Sequence, residues 1–166
     1  MRFFDKLVGG ENKVRESVKA ATTSGIISYD AKLVDKLKED HQELIRLYTA
    51  IKQSAADGRF NELPDLLSDF KMLLQNHFAL ENVRFYVYVQ QRWIHDAETS
   101  EFIAELRKEM NNIARAVMKF VETYIAAQPT YDTVATFNAE LDQIGAALTK
   151  RVQLEESHLY SLYQPA

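Results

Sequence analysis

His77-Phe78-Ala79-Leu80-Glu81-Asn82-Val83-Arg84-Phe85-Tyr86-Val87-Tyr88-Val89 is the stretch on which the fold turns. Its second half, Val83 to Val89, is rich in β-branched and aromatic residues and, taken alone, reads as a strand. A lone strand in a chain of otherwise helical period has nothing to pair with, so the stretch is read as helix. In its first half, His77 and Glu81 stand four apart, which puts both on one helical face about one turn apart. In its second half, Phe85 to Val89 cover every face of a helix. A bundle core buries one face, so something further has to cover the rest, either the N-terminal leader or a second subunit.

Outward from this stretch the period stays helical. The second helix is expected from about Asn61, acting as its cap, through Pro64 in the first turn to about Trp93. A first helix precedes it from about Asp30 to Ala56 and breaks at Asp57-Gly58. A third runs from Asp96 or Ser100 and ends before Pro129, because the residue before proline resists helical angles. A fourth runs from Thr130 or Asp132 to about Tyr163, ahead of Pro165. Four long helices on short loops imply an all-α, antiparallel up-down-up-down four-helix bundle over residues 30–163. Residues 1–29 read as a flexible leader, with Gly9-Gly10, a Ser/Thr/Lys-rich stretch to Ser24, Gly25, and an apolar patch of Phe3, Phe4, Leu7 and Val8.

Composition narrows the function. The chain has 166 residues, 46% of them hydrophobic and 27% charged, with a net charge of -4. That balance is globular, and with Lys and Arg spread along the chain it speaks against a nucleic-acid partner. The absence of cysteine excludes disulfides, thiolate metal sites and thiol nucleophiles. No apolar run approaches the ~20 residues of a membrane span, and the first ten residues do not read as a signal peptide, so a cytoplasmic location without membrane contact is expected.

The core stripes carry the chemical information. The third helix offers an unbroken apolar stripe, Ile103, Leu106, Met110, Ile113, Val117, Phe120 and Tyr124. The others are interrupted: Leu37, His41, Leu44, Tyr48 and Ile51 in the first; Leu66, Phe70, Leu73, His77 and Leu80-Glu81 in the second; Leu148, Arg151, Glu155, His158 and Leu162 in the fourth. Counted from the turns at Gly58 and Pro129, His41, His77, Glu81, Arg151 and Glu155 fall within about 14 Å of one another along the bundle axis at ~1.5 Å per residue. They are expected to form one polar layer inside the bundle. Burying them unpaired would cost several kcal/mol each, so they are paired, metal-bound or open to water. An imidazole and a carboxylate spaced like His77 and Glu81 can bind one hard or borderline metal ion, or bridge two.

On Asp40-His41, on His77-Phe-Ala-Leu-Glu81-Asn-Val-Arg-Phe-Tyr and on Glu155-Glu156-Ser-His158-Leu-Tyr, the chain resembles the hemerythrin-like family of HHE cation-binding domains over about residues 30–163. The resemblance implies a four-helix bundle with a non-haem di-iron centre that binds dioxygen, senses oxygen or redox state, or handles iron or nitric oxide. It implies metal ligands at His41, His77, Glu81 and Glu155. Two positions depart from the family's pattern. The third helix supplies Met110 where the family has histidine, and Arg151 stands where the family has a histidine four residues before the carboxylate. Arginine stays protonated and does not ligate metals. The di-iron site is therefore incomplete, and Arg151 is read as an internal cation that replaces a ligand by pairing with Glu81 and Glu155. A looser resemblance joins the fourth helix, together with Lys32-Leu-Val-Asp35 and His77-Phe78, to the regulator-of-sigma-D anti-sigma family, which are bacterial regulators without a di-iron site.

Each sharp reading has a plainer alternative. His41 and His77 serve equally as satisfied core histidines, and Glu81 with Arg151 as an ion pair that fixes helix register. His158 is placed at the rim, His95 is exposed, and Tyr48, Tyr86, Tyr124 and Tyr160 are assigned to packing. No Ser-His-Asp set, phosphate loop or paired catalytic carboxylates can be assembled, so no enzyme is expected. The resulting expectation is a cation-binding or oxygen/redox-sensing domain with iron as its cofactor. The alternative is a metal-free regulator that binds a protein partner, or forms a homodimer, through the Phe85–Val89 face.

Overall fold

The computed structural model describes residues 26–166. The Phe3–Val8 patch and the glycine-bearing leader to Gly25 lie outside the described residues. Five helices make four rods: α1, Leu33–Ala56; α2, Leu63–Leu80, continued through a π turn at Glu81–Phe85 into α3, Tyr86–Arg92; α4, Ala97–Ala126; and α5, Val134–Leu154, continued through a π turn at Glu155–Leu159 and a 3-10 turn at Tyr160–Leu162. α1 packs on α2 and α5, and α4 packs on the same two, so sequence neighbours are spatial neighbours around an up-down-up-down bundle. The described residues include no strand. No described helix is long and apolar enough to cross a membrane.

The helix ends follow from local chemistry. α1 stops where Gly58 takes φ 70, the left-handed geometry that only glycine adopts without penalty. The amides of Gly58 and Arg59 bond back to the carbonyls of Ala55 (3.2 Å) and Ser54 (2.9 Å), capping the orphan acceptors of the last turn. Asp96, one of the two expected starts, caps α4 by accepting from the Thr99 amide at 2.9 Å. Asn61 does not cap α2. It lies in a 3-10 turn, Phe60–Glu62, and the helix starts two residues later with Pro64 in its first turn. α5 starts at Val134, after the Thr133 hydroxyl accepts from the Thr130 amide at 2.9 Å.

The apolar core is in two parts. The lower part gathers Leu44, Leu47, Ile51, Leu63, Leu67, Phe70, Leu74, Val117, Phe120, Phe137 and Leu141. The upper part gathers Leu33, Leu37, Phe85, Tyr86, Val89, Ile103, Leu106, Leu159 and Tyr163. On α2 the buried line runs through Leu67 and Leu74, with Leu66 and Leu73 partly buried beside it, one residue off the expected stripe. Between the two parts, every rod crosses one level with a side chain other than an aliphatic: His41 on α1, His77 on α2, Met110 on α4, Arg151 on α5.

Phe85–Val89 finds most of its cover among the described residues. Phe85, Tyr86, Tyr88 and Val89 are buried within this chain. The C-terminal turn covers them: Tyr163 packs on Phe85 (5.4 Å between ring centres) and Tyr88 (4.7 Å), and Tyr160 on Phe85 (5.2 Å). The Tyr88 hydroxyl donates to the Gln164 carbonyl and the Trp93 indole to that of Leu162. Residues 26–30, expected in part as leader, close over this turn. Tyr29 stacks on Tyr163 at 5.0 Å, and the Asp30 amide donates to the Tyr163 hydroxyl at 2.9 Å. Val87 alone of the five stays half-buried, so most of the apolar surface that prompted the homodimer expectation is internal.

Candidate metal centre

His41, His77, Glu81, Arg151 and Glu155 are each at most 3% exposed and meet in one layer. The periodicity argument placed them at one height, and the side chains do converge. His41 Nε2 lies 3.1 Å from Glu155 Oε2, and His77 Nε2 lies 3.9 Å from Glu81 Oε2. The two imidazole rings are 4.8 Å apart. His41, His77 and Glu155 each offer a ligand atom within 4.8 Å of the others. Glu81 stands beside this group rather than within it.

Arg151 points inward and ties the layer together. Its Nε–H donates to Glu155 Oε1 at 2.5 Å, one Nη to the Leu106 carbonyl at 3.0 Å, and the other Nη to the Tyr86 hydroxyl. The expected pairing with Glu155 is thus present, whereas Glu81 is met by the Tyr160 hydroxyl, which donates to its Oε1 at 3.0 Å. His158 is exposed, bonded to Ser157 next to it, and takes no part in the layer. His95 is exposed as well.

Two tyrosines assigned to packing belong to the site. Each follows a buried glutamate by five residues, Glu81 to Tyr86 and Glu155 to Tyr160, and each of these intervals is a π turn. In a regular α-helix a residue five positions on faces about 140° away. The extra residue of a π turn brings it back to the face that its glutamate occupies. The two rods carry matched patterns, His77-x3-Glu81-x4-Tyr86 and Arg151-x3-Glu155-x4-Tyr160. They exchange hydroxyls across the core: Tyr86 meets Arg151 and Tyr160 meets Glu81. The repeated spacing was visible in the sequence, but a period of 3.6 assigns those tyrosines to the wrong face.

Two further carboxylates orient the imidazoles from behind. Glu156 Oε1 lies 2.8 Å from His41 Nδ1, and Asp40 Oδ2 lies 3.5 Å from His77 Nδ1. Asp40 is held in turn by Lys36. Both histidines therefore turn Nδ1 toward a carboxylate and Nε2 toward the interior, and at His41, where the contact is a hydrogen bond, this fixes tautomer and ring orientation as in metal-ligating histidines.

The electrostatics follow from burial and pairing. Burial alone would push His41 down, but its contacts with Glu155 and Glu156 outweigh this and raise it. Burial likewise opposes the charge on Glu155, yet His41 and Arg151 hold it below the usual carboxylate range. Glu81 goes the other way: desolvation and the neighbouring Glu155 charge push it well above that range, with Arg151 only partly offsetting them. Burial raises Tyr160 too, keeping the phenol neutral.

Within the layer lies a cavity of ≈ 20 Å³ bordered by His41, His77, Met110, Arg151, Glu155 and the aliphatic parts of Leu44, Leu74 and Leu148. That is room for about one water or one ion. Two fully buried atoms of the layer outside this cavity have no hydrogen-bond partner: Glu81 Oε2, and His77 Nδ1, which has only the Asp40 carboxylate at 3.5 Å. Leaving such atoms unsatisfied costs about 1–3 kcal/mol each. Two imidazoles, two carboxylates and a single-atom space suit one hard or borderline cation. Arg151, bonded to Glu155, has no lone pair to offer an ion, and Met110 adds no nitrogen.

A model of the hemerythrin HHE cation binding domain matches residues 32–163. No curated protein and no solved structure gives a significant match. The match spans all four rods and every residue of the polar layer, and the chain belongs to the hemerythrin HHE cation-binding domain family.

Proposed function

We propose that this bundle binds a single metal ion, iron by preference, and acts as a binding or redox-sensing domain rather than as an enzyme. His41, His77 and Glu155 hold the ion, Glu81 supplies a further oxygen, and Arg151 supplies the charge that a second ion would bring. The observation that carries this reading is the group of ligand atoms within 4.8 Å whose two histidines are both backed by carboxylates. When bound, iron would supply one-electron redox chemistry and an affinity for small oxidants. The chain's own residues position and insulate it: the apolar layers above and below exclude water, and Glu156 and Asp40 aim the imidazoles.

Mass-spectrometric metal analysis of protein purified without chelator and supplemented with ferrous iron tests this. One iron per chain is expected, falling to near zero in a His41→Ala/His77→Ala variant. Two per chain would mean that Arg151 gives way to a second ion. None after supplementation would leave a neutral ion-pair network as the purpose of the layer, and would favour the metal-free regulator.

A further inference from the structure

The hydroxyl of Tyr160 lies where the proposed ligands converge. Its oxygen is 3.0 Å from Glu81 Oε1, 3.3 Å from His41 Nε2 and 3.4 Å from Glu155 Oε2, and His41 Nε2 is itself 3.1 Å from Glu155 Oε2. Donor atoms bound to one first-row ion at about 2.1 Å stand roughly 3.0–3.4 Å apart, for right-angle and tetrahedral arrangements respectively. All four separations lie in that range, and three of them share the phenolic oxygen. Among the described residues no other hydroxyl is seen to touch three acidic or imidazole groups of the layer; the Tyr86 hydroxyl is engaged with Arg151.

We infer that Tyr160 is itself a metal ligand, binding as a phenolate beside His41, His77 and Glu155. The inference rests on the single-ion reading above and extends its donor set. Coordination exchanges the phenolic O–H for a bond to the ion, so one proton leaves to solvent for each ion bound through this oxygen. Adding an anionic phenolate to carboxylate and imidazole donors favours the harder, more highly charged ferric form over the ferrous. The placement is rigid: the Tyr160 ring packs against Phe85 at 5.2 Å and lies parallel to the His41 ring at 5.9 Å. The π turn at Glu155–Leu159 brings the ring onto the face of Glu155.

The test uses the full chain loaded with iron, oxidised to the ferric state, with metal counted by mass spectrometry in the same sample. Wild type is expected to show a visible phenolate-to-iron charge-transfer band with resonance-enhanced tyrosinate ring modes. Tyr160→Phe is expected to lose the band while still binding close to one iron per chain, and Tyr86→Phe to retain it. Gallium(III), which has no such band, is expected to give a tyrosinate difference spectrum in the near ultraviolet in wild type and not in Tyr160→Phe, which guards against a variant that merely alters iron oxidation. Iron bound at one per chain without the band overturns the inference and leaves the single-ion reading intact. A band that survives in Tyr160→Phe also overturns it. Absence of bound iron overturns both.

Discussion

Arg151 is the guanidinium of the buried layer, and it makes the sharpest substitutions. Its guanidinium is buried and bonded to Glu155, the Leu106 carbonyl and Tyr86. Truncating one partner of such a buried pair leaves the other charge uncompensated, so Arg151→Leu is expected to cost about 3–5 kcal/mol in the metal-free protein. Arg151→His removes the cation and adds a nitrogen donor four residues before Glu155. Metal analysis of this variant is expected to rise from one ion per chain toward two, and an unchanged count would show that Arg151 does not occupy a second position. The histidines give a pH signature. Glu155 and Glu156 raise His41 above the ordinary imidazole range, so its pairing stabilises the metal-free fold fully below that range and is lost as pH climbs through the raised value. A metal requires Nε2 without its proton, so binding strengthens over the same interval. The gap in melting temperature between iron-loaded and chelator-treated protein is therefore expected to widen as pH rises above about 6.5. Parallel curves would contradict a shared nitrogen. His41, His77, Glu81, Arg151 and Glu155 were legible because each interrupts an apolar stripe at a matching depth. Asp40 and Glu156 sit beside the stripes, where sequence offers only two more acidic residues in a chain with 24. Their role depends on which imidazole nitrogen faces which way.

Among the elements, helical period carried the reading of the rods; it ran one residue off along the apolar line of α2 and failed where the period changes. The residues from Val83 to Val89 settle as helix because their apolar groups find cover on several sides, from Leu106 across the core to Tyr163 at the chain's end. The two π turns were not legible, since nothing in Asn82–Phe85 or Glu156–Leu159 forces an extra residue into a turn. Closure of the polar layer does so, by bringing Tyr86 and Tyr160 to face it. Close approach between rods is likewise set by tertiary packing. Gly145 on α5 faces Tyr48 on α1 so closely that a Cβ there would lie 2.1 Å from the tyrosine oxygen, which itself bonds the Leu141 carbonyl at 3.0 Å. Helix propensity alone would make Gly145→Ala stabilising by about 1 kcal/mol. Overpacking costs about 1–3 kcal/mol, so the net change in denaturant midpoint is expected to be destabilising. In a Tyr48→Leu background, which removes the obstructing ring, the same substitution is expected to become neutral or stabilising. If Gly145→Ala stabilises the wild-type background as well, α1 and α5 are not held by this contact.

The whole molecule is a bundle whose core is split by a charged level, and its upper half depends on the two chain ends of the described fold meeting. Residues 26–30 and the turn at Tyr160–Tyr163 lock over Phe85, Tyr88 and Trp93. Because Tyr160 belongs both to that lock and to the polar layer, loosening the cap should be felt at the metal. Tyr163→Ala empties a buried aromatic site and is expected to cost about 3–5 kcal/mol, as other large-to-small aromatic changes do. Iron present at 100 times its dissociation constant should restore about 2.7 kcal/mol of that by mass action. Thermal melts with and without iron check both figures, and an iron stabilisation as large in the variant as in wild type at the same iron concentration would separate the cap from the site. The up-down-up-down order followed from the short loops, whereas the closure of the ends did not. It joins Asp30 to Tyr163 across 133 positions of the chain. No local pattern reports a contact of that separation.

The claim on which the rest stands is that one cation sits between α1, α2 and α5 at the level of Arg151. Crystals grown from iron-supplemented protein and measured at the iron absorption edge locate it directly. A single anomalous peak is expected, contacting His41, His77 and Glu155, with the Arg151 guanidinium still bonded to Glu155. Two adjacent peaks with Arg151 displaced, or no peak within the layer, would contradict it.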